Sequence, residues 1–294
     1  MKLKYSDGSS FRRALEDRLR NINIKQGIPL TRLRKIIAFD RFIARSLKYD
    51  PSKWVLKGGL ALELRLGLRA RTTRDMDLLA FYKAKEIHGL LLKSGNIDMG
   101  DFFSFQVSKP GSDVNETIGG VRFPVLSLLD GRIFEQFHID VGVSDHLLEP
   151  PEYIQMPSWL EFANLKSTLV PCYSITQQIA EKYHAFTRPY AGGETSRMKD
   201  LIDILLLAGI AQITSAKLRK AIISTFENRN THPLPARFPK MSSLYSRAFT
   251  ALATQVGLKM KNIDEANIAL EKFLFPIISI SLRKTWDPKK WEWK

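Results

Sequence analysis

Residues 54–82 read WVLKGGLALELRLGLRARTTRDMDLLAFY. A short apolar run, Trp54-Val55-Leu56, meets the Gly58-Gly59 pair. A stretch with helical spacing follows, then a basic loop, and then Asp75-x-Asp77 opens a second apolar run, Met76 to Phe81. The pattern predicts strand, glycine turn, helix, loop and strand. Side chains two apart on a strand point to one side, so Asp75 and Asp77 are expected to face the same place. Two carboxylates so close repel unless a cation lies between them, and Mg²⁺ (or Mn²⁺) shared with substrate phosphates is the usual compensation. Glycine at 58 and 59 would let backbone amides approach a phosphate at a helix N-terminus.

A third acid is expected on a neighbouring strand, because a two-metal centre needs another ligand. FHIDVGV, residues 137–143, supplies Asp140 among Phe137, Ile139, Val141 and Val143. An acid within so apolar a strand is costly unless it is paired or ligates a metal. Asp140 is therefore read as a ligand beside Asp75 and Asp77, against the alternative of an outward-facing surface acid.

Around this core the pattern divides the chain into three blocks. Residues 1–50 read as two helices packing on the core, the first capped near Ser9 or Ser10 and ended by Gly27, the second running from Pro29 to Asp50-Pro51. Residues 51–157 read as an α/β lobe, with further strands at Phe102–Val107, Val121–Leu129 and Ile133–Val143. Asp130-Gly131 marks a hairpin, and Pro124 predicts an edge strand or one that starts after a bulge. Residues 158–294 read as a helical lobe with helices over 175–187, 196–208, 215–226 and 264–282, and a proline-rich linker over 231–240. The fold class is thus α+β in two lobes, a mixed sheet with helices plus a helical C-terminal lobe.

The 294 residues carry a formal net charge of +15. Such a balance attracts polyanions or serves solubility, and charge alone does not choose between them. Residues 1–50 hold thirteen basic and five acidic side chains, read as a solvated helix face in preference to an RNA-binding stripe. The tail RKTWDPKKWEWK is expected to dock its tryptophans on the protein body rather than stack bases. The single cysteine, Cys172, excludes an intrachain disulfide and a cysteine-rich zinc site. No run of some 18 apolar residues and no secretory leader is seen, so a cytoplasmic protein without membrane contact is expected. His138 and His184 are read as structural histidines.

A second cluster, QQIAEKYHAFTRPYAGGETSRMKDLIDILLL at 177–207, places Lys182 on one helix and Asp200 and Asp203 three apart on another, with Arg197 near. Taken alone these are surface ion pairs. The ordered set of Gly-Gly, helix, Asp-x-Asp and a later strand Asp resembles the DNA polymerase β-like nucleotidyltransferase superfamily, although Leu60 follows Gly59 where the common pattern has serine. The chain as a whole resembles the AbiEii/AbiGii nucleotidyltransferase toxins of type IV toxin–antitoxin systems, with which mycobacterial tRNA-modifying toxins are grouped. The resemblance rests on LKGG at 56–59, RTTRDMD at 71–77, HIDV at 138–141, QIAEKYHA at 178–185 and RMKDLID at 197–203.

This resemblance implies catalytic roles for Asp75, Asp77, Lys182 and Asp203, with Lys182 a point charge on the triphosphate. It implies nucleotide-binding roles for Lys57, Gly58, Gly59, Thr73, Arg197 and Asp200. The implied reaction moves NMP from an NTP to RNA, foremost the 3′ acceptor end of tRNA, blocking translation. The implied partners are tRNA, NTP and an AbiEi-like antitoxin encoded nearby. A protein acceptor for the NMP and a binding module without turnover are the competing readings.

Overall fold

The computed structural model describes residues 3–110, 120–143, 146–189, 197–235, 239–279 and 283–294. It is a mixed α+β chain in two compact units: residues 1–65, 72–145 and 152–172 form the first, and residues 66–71, 146–151 and 173–294 the second.

The first unit opens with α1 (Gly8–Gln26) and α2 (Leu30–Tyr49). Asp7 caps α1 by accepting from the Ser10 amide at 2.8 Å, and Gly27 ends it in the left-handed region at φ 68°. The cap is thus two or three residues earlier than Ser9 or Ser10. Asp50, extended before Pro51, ends α2. There follow β1 (Trp54–Lys57), α3 (Gly58–Leu66), β2 (Asp75–Ala80), α4 (Ile87–Gly95), β3 (Phe103–Val107), β4 (Gly120–Leu129), β5 (Arg132–Gly142), β6 (Glu152–Gln155) and β7 (Leu169–Cys172). The sheet order is β3-β4-β5-β2-β1-β7-β6. β2 runs parallel to β5 and β1 parallel to β7, and the other neighbours are antiparallel.

One face of this sheet is apolar. Met76 and Leu78 of β2, Ile139 and Val141 of β5, and Phe123 and Val125 of β4 join Phe11, Leu15, Ile36, Phe39 and Phe42 of the first two helices in one core. Edge-to-face pairs fasten it, Phe39 on Phe137 at 5.0 Å and Phe42 on Phe105 at 5.2 Å. Alternation then sends the polar residues of the same strands to the other face.

Pro124 is not on an edge strand, for β4 lies between β3 and β5. The missing amide falls at the end of the β3 ladder, since β3 ends at Val107. The Pro124 carbonyl accepts from Ser108 at 2.9 Å, so its nitrogen points the same way, past the end of the β3 ladder. The Asp130-Gly131 hairpin is present, with φ 55° and 70° at the two residues. Strand β7 breaks the helical reading after residue 158, and β6, just before it, is a strand the sequence reading does not name. Each is four residues long, too short for alternation to show, and β7 is held by its pairing with β1 and β6.

The basic side chains of the first helices differ most from the sequence reading. Arg32, Arg41 and Arg45 are buried. Arg45 donates to both oxygens of the fully buried Asp101, at 2.5 and 3.0 Å, and to the carbonyls of Ile97 and Phe103. Arg41 pairs with Asp40 at 2.6 Å. Arg12 donates to the carbonyls of Leu129, Arg132 and Ile133, clasping the β4–β5 hairpin. Much of this charge is therefore internal glue and not a solvated face.

The second unit holds α5 (Ile175–Thr187), α6 (Met198–Ala208), α7 (Ser215–Arg229), α8 (Ser246–Gln255), α9 (Ile263–Ser279) and a short hairpin of β8 (Trp286–Asp287) and β9 (Glu292–Trp293). Ser196, residues 280–282 and residues 236–238 of the expected linker lie outside the described residues. The tail docks as expected: the indole nitrogens of Trp286, Trp291 and Trp293 donate to the carbonyls of Ala208, Ala269 and Phe273. Among the described residues no helix is long and apolar enough to cross a membrane.

Asp101→Ala would strand the Arg45 guanidinium in the core, and an unpaired buried charge costs roughly 3–5 kcal/mol. Urea unfolding of the two proteins is expected to show a loss on that scale, and a change under about 1 kcal/mol would contradict the assignment.

Candidate active site

The polar face of the sheet carries a row of charged side chains, basic at both ends and acidic between. Strand register sets Lys57 of β1 opposite Asp77 of β2, Asp77 opposite Asp140 of β5, and Asp140 opposite Arg122 of β4. Register partners share a face, so the four side chains form one line across four strands. Asp75 and His138 are the next pair along β2 and β5, with His138 Nδ1 3.3 Å from Asp75 Oδ1.

Arg122 binds the acids on its side of the row. Its Nε and Nη2 donate to the two oxygens of Asp140 at 2.7 and 2.6 Å, and Nη2 also reaches Asp75 Oδ2 at 3.2 Å. The flanking carboxylates, Asp140 first, hold the guanidinium more firmly protonated than usual.

Asp77 has a different environment. A side chain on Gly58 would put its Cβ 2.0 Å from Asp77 Oδ2, and Gly58 has φ 61°. The Gly59 amide, at the N-terminus of α3, donates to that oxygen at 3.3 Å. A Cβ on Gly59 would meet Thr73 Oγ1 at 2.6 Å. The two glycines thus make room for Asp77 and Thr73. The buried Thr73 hydroxyl donates to the Asp75 carbonyl at 3.1 Å and fixes the loop that enters β2.

Among the described residues no three or more His, Cys, Asp or Glu are gathered into a group that could hold a metal ion as they stand. The donor chemistry nevertheless fits a divalent cation. Three carboxylates share a face, and two of them already converge on one positive group, Arg122.

The second unit brings together the other expected cluster. Lys182 of α5 lies 2.8 Å from Asp200 Oδ1 and 2.9 Å from Asp203 Oδ2, both on α6. Arg71 adds a guanidinium to Asp203, with Nη2 at 3.0 Å. Arg197 is only 3.8 Å from Asp200 and half exposed. Burial pulls the Lys182 ammonium pKa down, but Asp203 and Asp200 outweigh it and the group is pushed up to about 12. It is a permanent cation at neutral pH, and these are not surface ion pairs, since Asp203 is fully buried.

His184, two residues along α5 from Lys182, is structural as read. Its Nε2 meets Thr231 Oγ1 at 2.9 Å, and its ring lies 4.5 Å from that of His232. Burial first, then His232, Arg229 and Arg188, push its pKa down to about 4.

Arg122 and Arg71 are the members of the two charged clusters that sequence reasoning misses. Arg71 stands within the RTTRDMD motif, but nothing local marks it, because its partner is 132 positions away.

A sheet bearing these acids beside a glycine turn and helix is the fold of a nucleotidyltransferase. The nucleotidyltransferase toxin MenT4 of Mycobacterium tuberculosis shares that fold with a TM-score of 0.62 at 16% identity, over 93% of this chain and 91% of that one. JHP933 of Helicobacter pylori is similar at 17% identity and a TM-score of 0.47, over 84% and 91% of the two chains. Comparison with curated proteins finds no match. The family model "Nucleotidyl transferase AbiEii toxin, Type IV TA system" matches residues 41–272, and the chain belongs to that family. It is a nucleotidyltransferase enzyme of the toxin class.

Two outcomes follow from this geometry. Gly67 has φ 60° and open space, with nothing within 4 Å of where a Cβ would stand, so Gly67→Ala carries only the left-handed penalty, about 1 kcal/mol. Gly58→Ala carries that penalty and also displaces Asp77. Nucleotidyl transfer is expected to survive the first and be lost in the second, and equal activities would refute the cradle. For His184, a folded-state pKa below the ordinary 6.5 means that stability is full above pH 6.5 and lost as the pH falls toward 4, by about 3 kcal/mol. Unfolding at pH 7 and pH 4.5 should differ on that scale for the native protein and by much less for His184→Gln.

Proposed function

We propose that the enzyme transfers NMP from an NTP to the 3′ end of an RNA, foremost the acceptor end of tRNA, and so blocks translation. One observation carries the reading: Asp75, Asp77 and Asp140 are set on one sheet face beside the Gly58-Gly59 turn, an arrangement suited to phosphoryl-type transfer, which rests on positioning and charge neutralisation.

In this reading Asp75, Asp77 and Asp140 hold the divalent cation, Mg²⁺ or Mn²⁺. When bound, the cation supplies neutralisation of triphosphate charge and a site for the attacking oxygen. The 3′ hydroxyl oxygen bonds the α-phosphorus as the bond to the bridging oxygen of the β-phosphate breaks, pyrophosphate leaves, and the hydroxyl proton passes to solvent. The chain's own part is positioning. Gly58 and Gly59 fix Asp77, Thr73 fixes the loop before Asp75, and α3 presents backbone amides to an anion. Lys182 is assigned to the triphosphate as a fixed positive charge, with Asp200, Asp203 and Arg71 holding its position. Lys57 and Arg197 are assigned to nucleotide binding.

The net charge of +15 supports a polyanionic acceptor over a protein one, and predicts binding that weakens as salt rises. A cytoplasmic location and an AbiEi-like antitoxin encoded nearby complete the proposal.

Purified protein incubated with total tRNA, Mg²⁺ and each [α-³²P]NTP in turn is expected to label tRNA with one or two of the four nucleotides. Asp75→Ala should abolish the label. Label in protein would transfer the reading to a protein acceptor, and no label with any NTP would sink it.

A further inference from the structure

Arg122 has no part in the reaction described above, yet it makes the closest contacts in the acid cluster. Its guanidinium occupies both oxygens of Asp140 and one of Asp75. Arginine is the side chain suited to this, since its planar fork matches a carboxylate with two parallel bonds and its charge is permanent. The Arg122 side chain is 55% exposed, so neither packing nor burial pins it in place. It is held by the acids themselves.

We propose that Arg122 is the resident counter-cation of the acid cluster and competes with the divalent cation for Asp75 and Asp140, so that it sets the metal concentration at which the site fills. The proposal rests on the reading of Asp75, Asp77 and Asp140 as metal ligands. A guanidinium and a divalent cation cannot share the same two carboxylates without strong repulsion, so binding of one requires withdrawal of the other. Without metal, the Arg122 guanidinium bridges two neighbouring carboxylates on adjacent parallel strands. A divalent cation would neutralise the same two acids in place of the guanidinium, and the exposed Arg122 would be released to solvent. Asp77 is held instead by the α3 N-terminus, and it gives the cation its first foothold.

The test is direct titration of Mn²⁺ by calorimetry and by loss of the free-ion EPR signal, on the full chain without nucleotide. Arg122→Gln is expected to bind Mn²⁺ at least about ten-fold more tightly than the native protein, the scale on which one adjacent charge moves the ionisation of a carboxylate. Arg122→Lys keeps the charge but not the fork and should fall between them. Thermal melting in EDTA should be lower for Arg122→Gln than for the native protein, and the rise on adding Mn²⁺ should be larger. Equal or weaker Mn²⁺ binding by Arg122→Gln would overturn the proposal and make Arg122 a support that orients Asp140. If Arg122→Gln fails to fold, Arg122→Lys decides the matter by the same titration. Mn²⁺ bound by neither the native protein nor either variant would overturn the metal reading itself. Asp75→Asn, which should bind Mn²⁺ weakly in every background, separates that outcome from a failure of competition alone.

Discussion

The first unit is organised by electrostatic repulsion between carboxylates that the sheet forces onto one face. Asp75 and Asp77 are set two apart on β2, and the parallel register with β5 adds Asp140 at their side. Nothing in an apolar sheet would tolerate three such neighbours without compensation. Two devices answer them: one guanidinium for Asp75 and Asp140, and a helix N-terminus with a missing side chain for Asp77. The glycine pair, the first turn of α3, the Thr73 loop and the charged row are parts of one solution to one problem.

The same logic recurs within the second unit, where Lys182 and Arg71 answer Asp200 and Asp203 in a largely buried tetrad. It recurs again under α2, where Arg41 and Arg45 answer Asp40 and Asp101. Pairs of this kind are poor sources of net stability but severe to break from one side, so they specify where neighbouring elements sit more than they hold them there. A chain with an excess of fifteen positive charges thus spends a good part of its arginine inside itself.

Much of this is legible in the amino-acid order. Asp-x-Asp at a strand start, the Asp130-Gly131 turn, the Gly27 and Pro51 helix stops and the inward-docked tryptophans all follow from local rules, and all are present. What local rules do not reach is pairing across distance. Arg12, Arg41 and Arg45 look like solvated charges until the acids and carbonyls they meet, up to 125 positions away, are brought beside them. Strands β6 and β7 are too short to announce themselves. Arg122 is hidden for a subtler reason. Counting back from the Leu129–Arg132 pair at the hairpin would set Val121 against Asp140, but the register shifts by one residue between Leu128–Ile133 and Ser127–Glu135. That shift puts Arg122 opposite Asp140.

The shift makes the site a matter of parity. Phe134 is the extra residue of β5, tucked into the core while Ile133 beside it is exposed. Were β5 to pair with β4 without that bulge, Phe134 would take the place of Glu135 opposite Ser127, and Val121 in place of Arg122 would stand opposite Asp140. Arg122 therefore stands opposite Asp140 only while one residue of β5 is held out of the pairing. The bulge beside the hairpin tip, well along β5 from the carboxylates, thus decides whether Asp140 meets a cation or an apolar side chain.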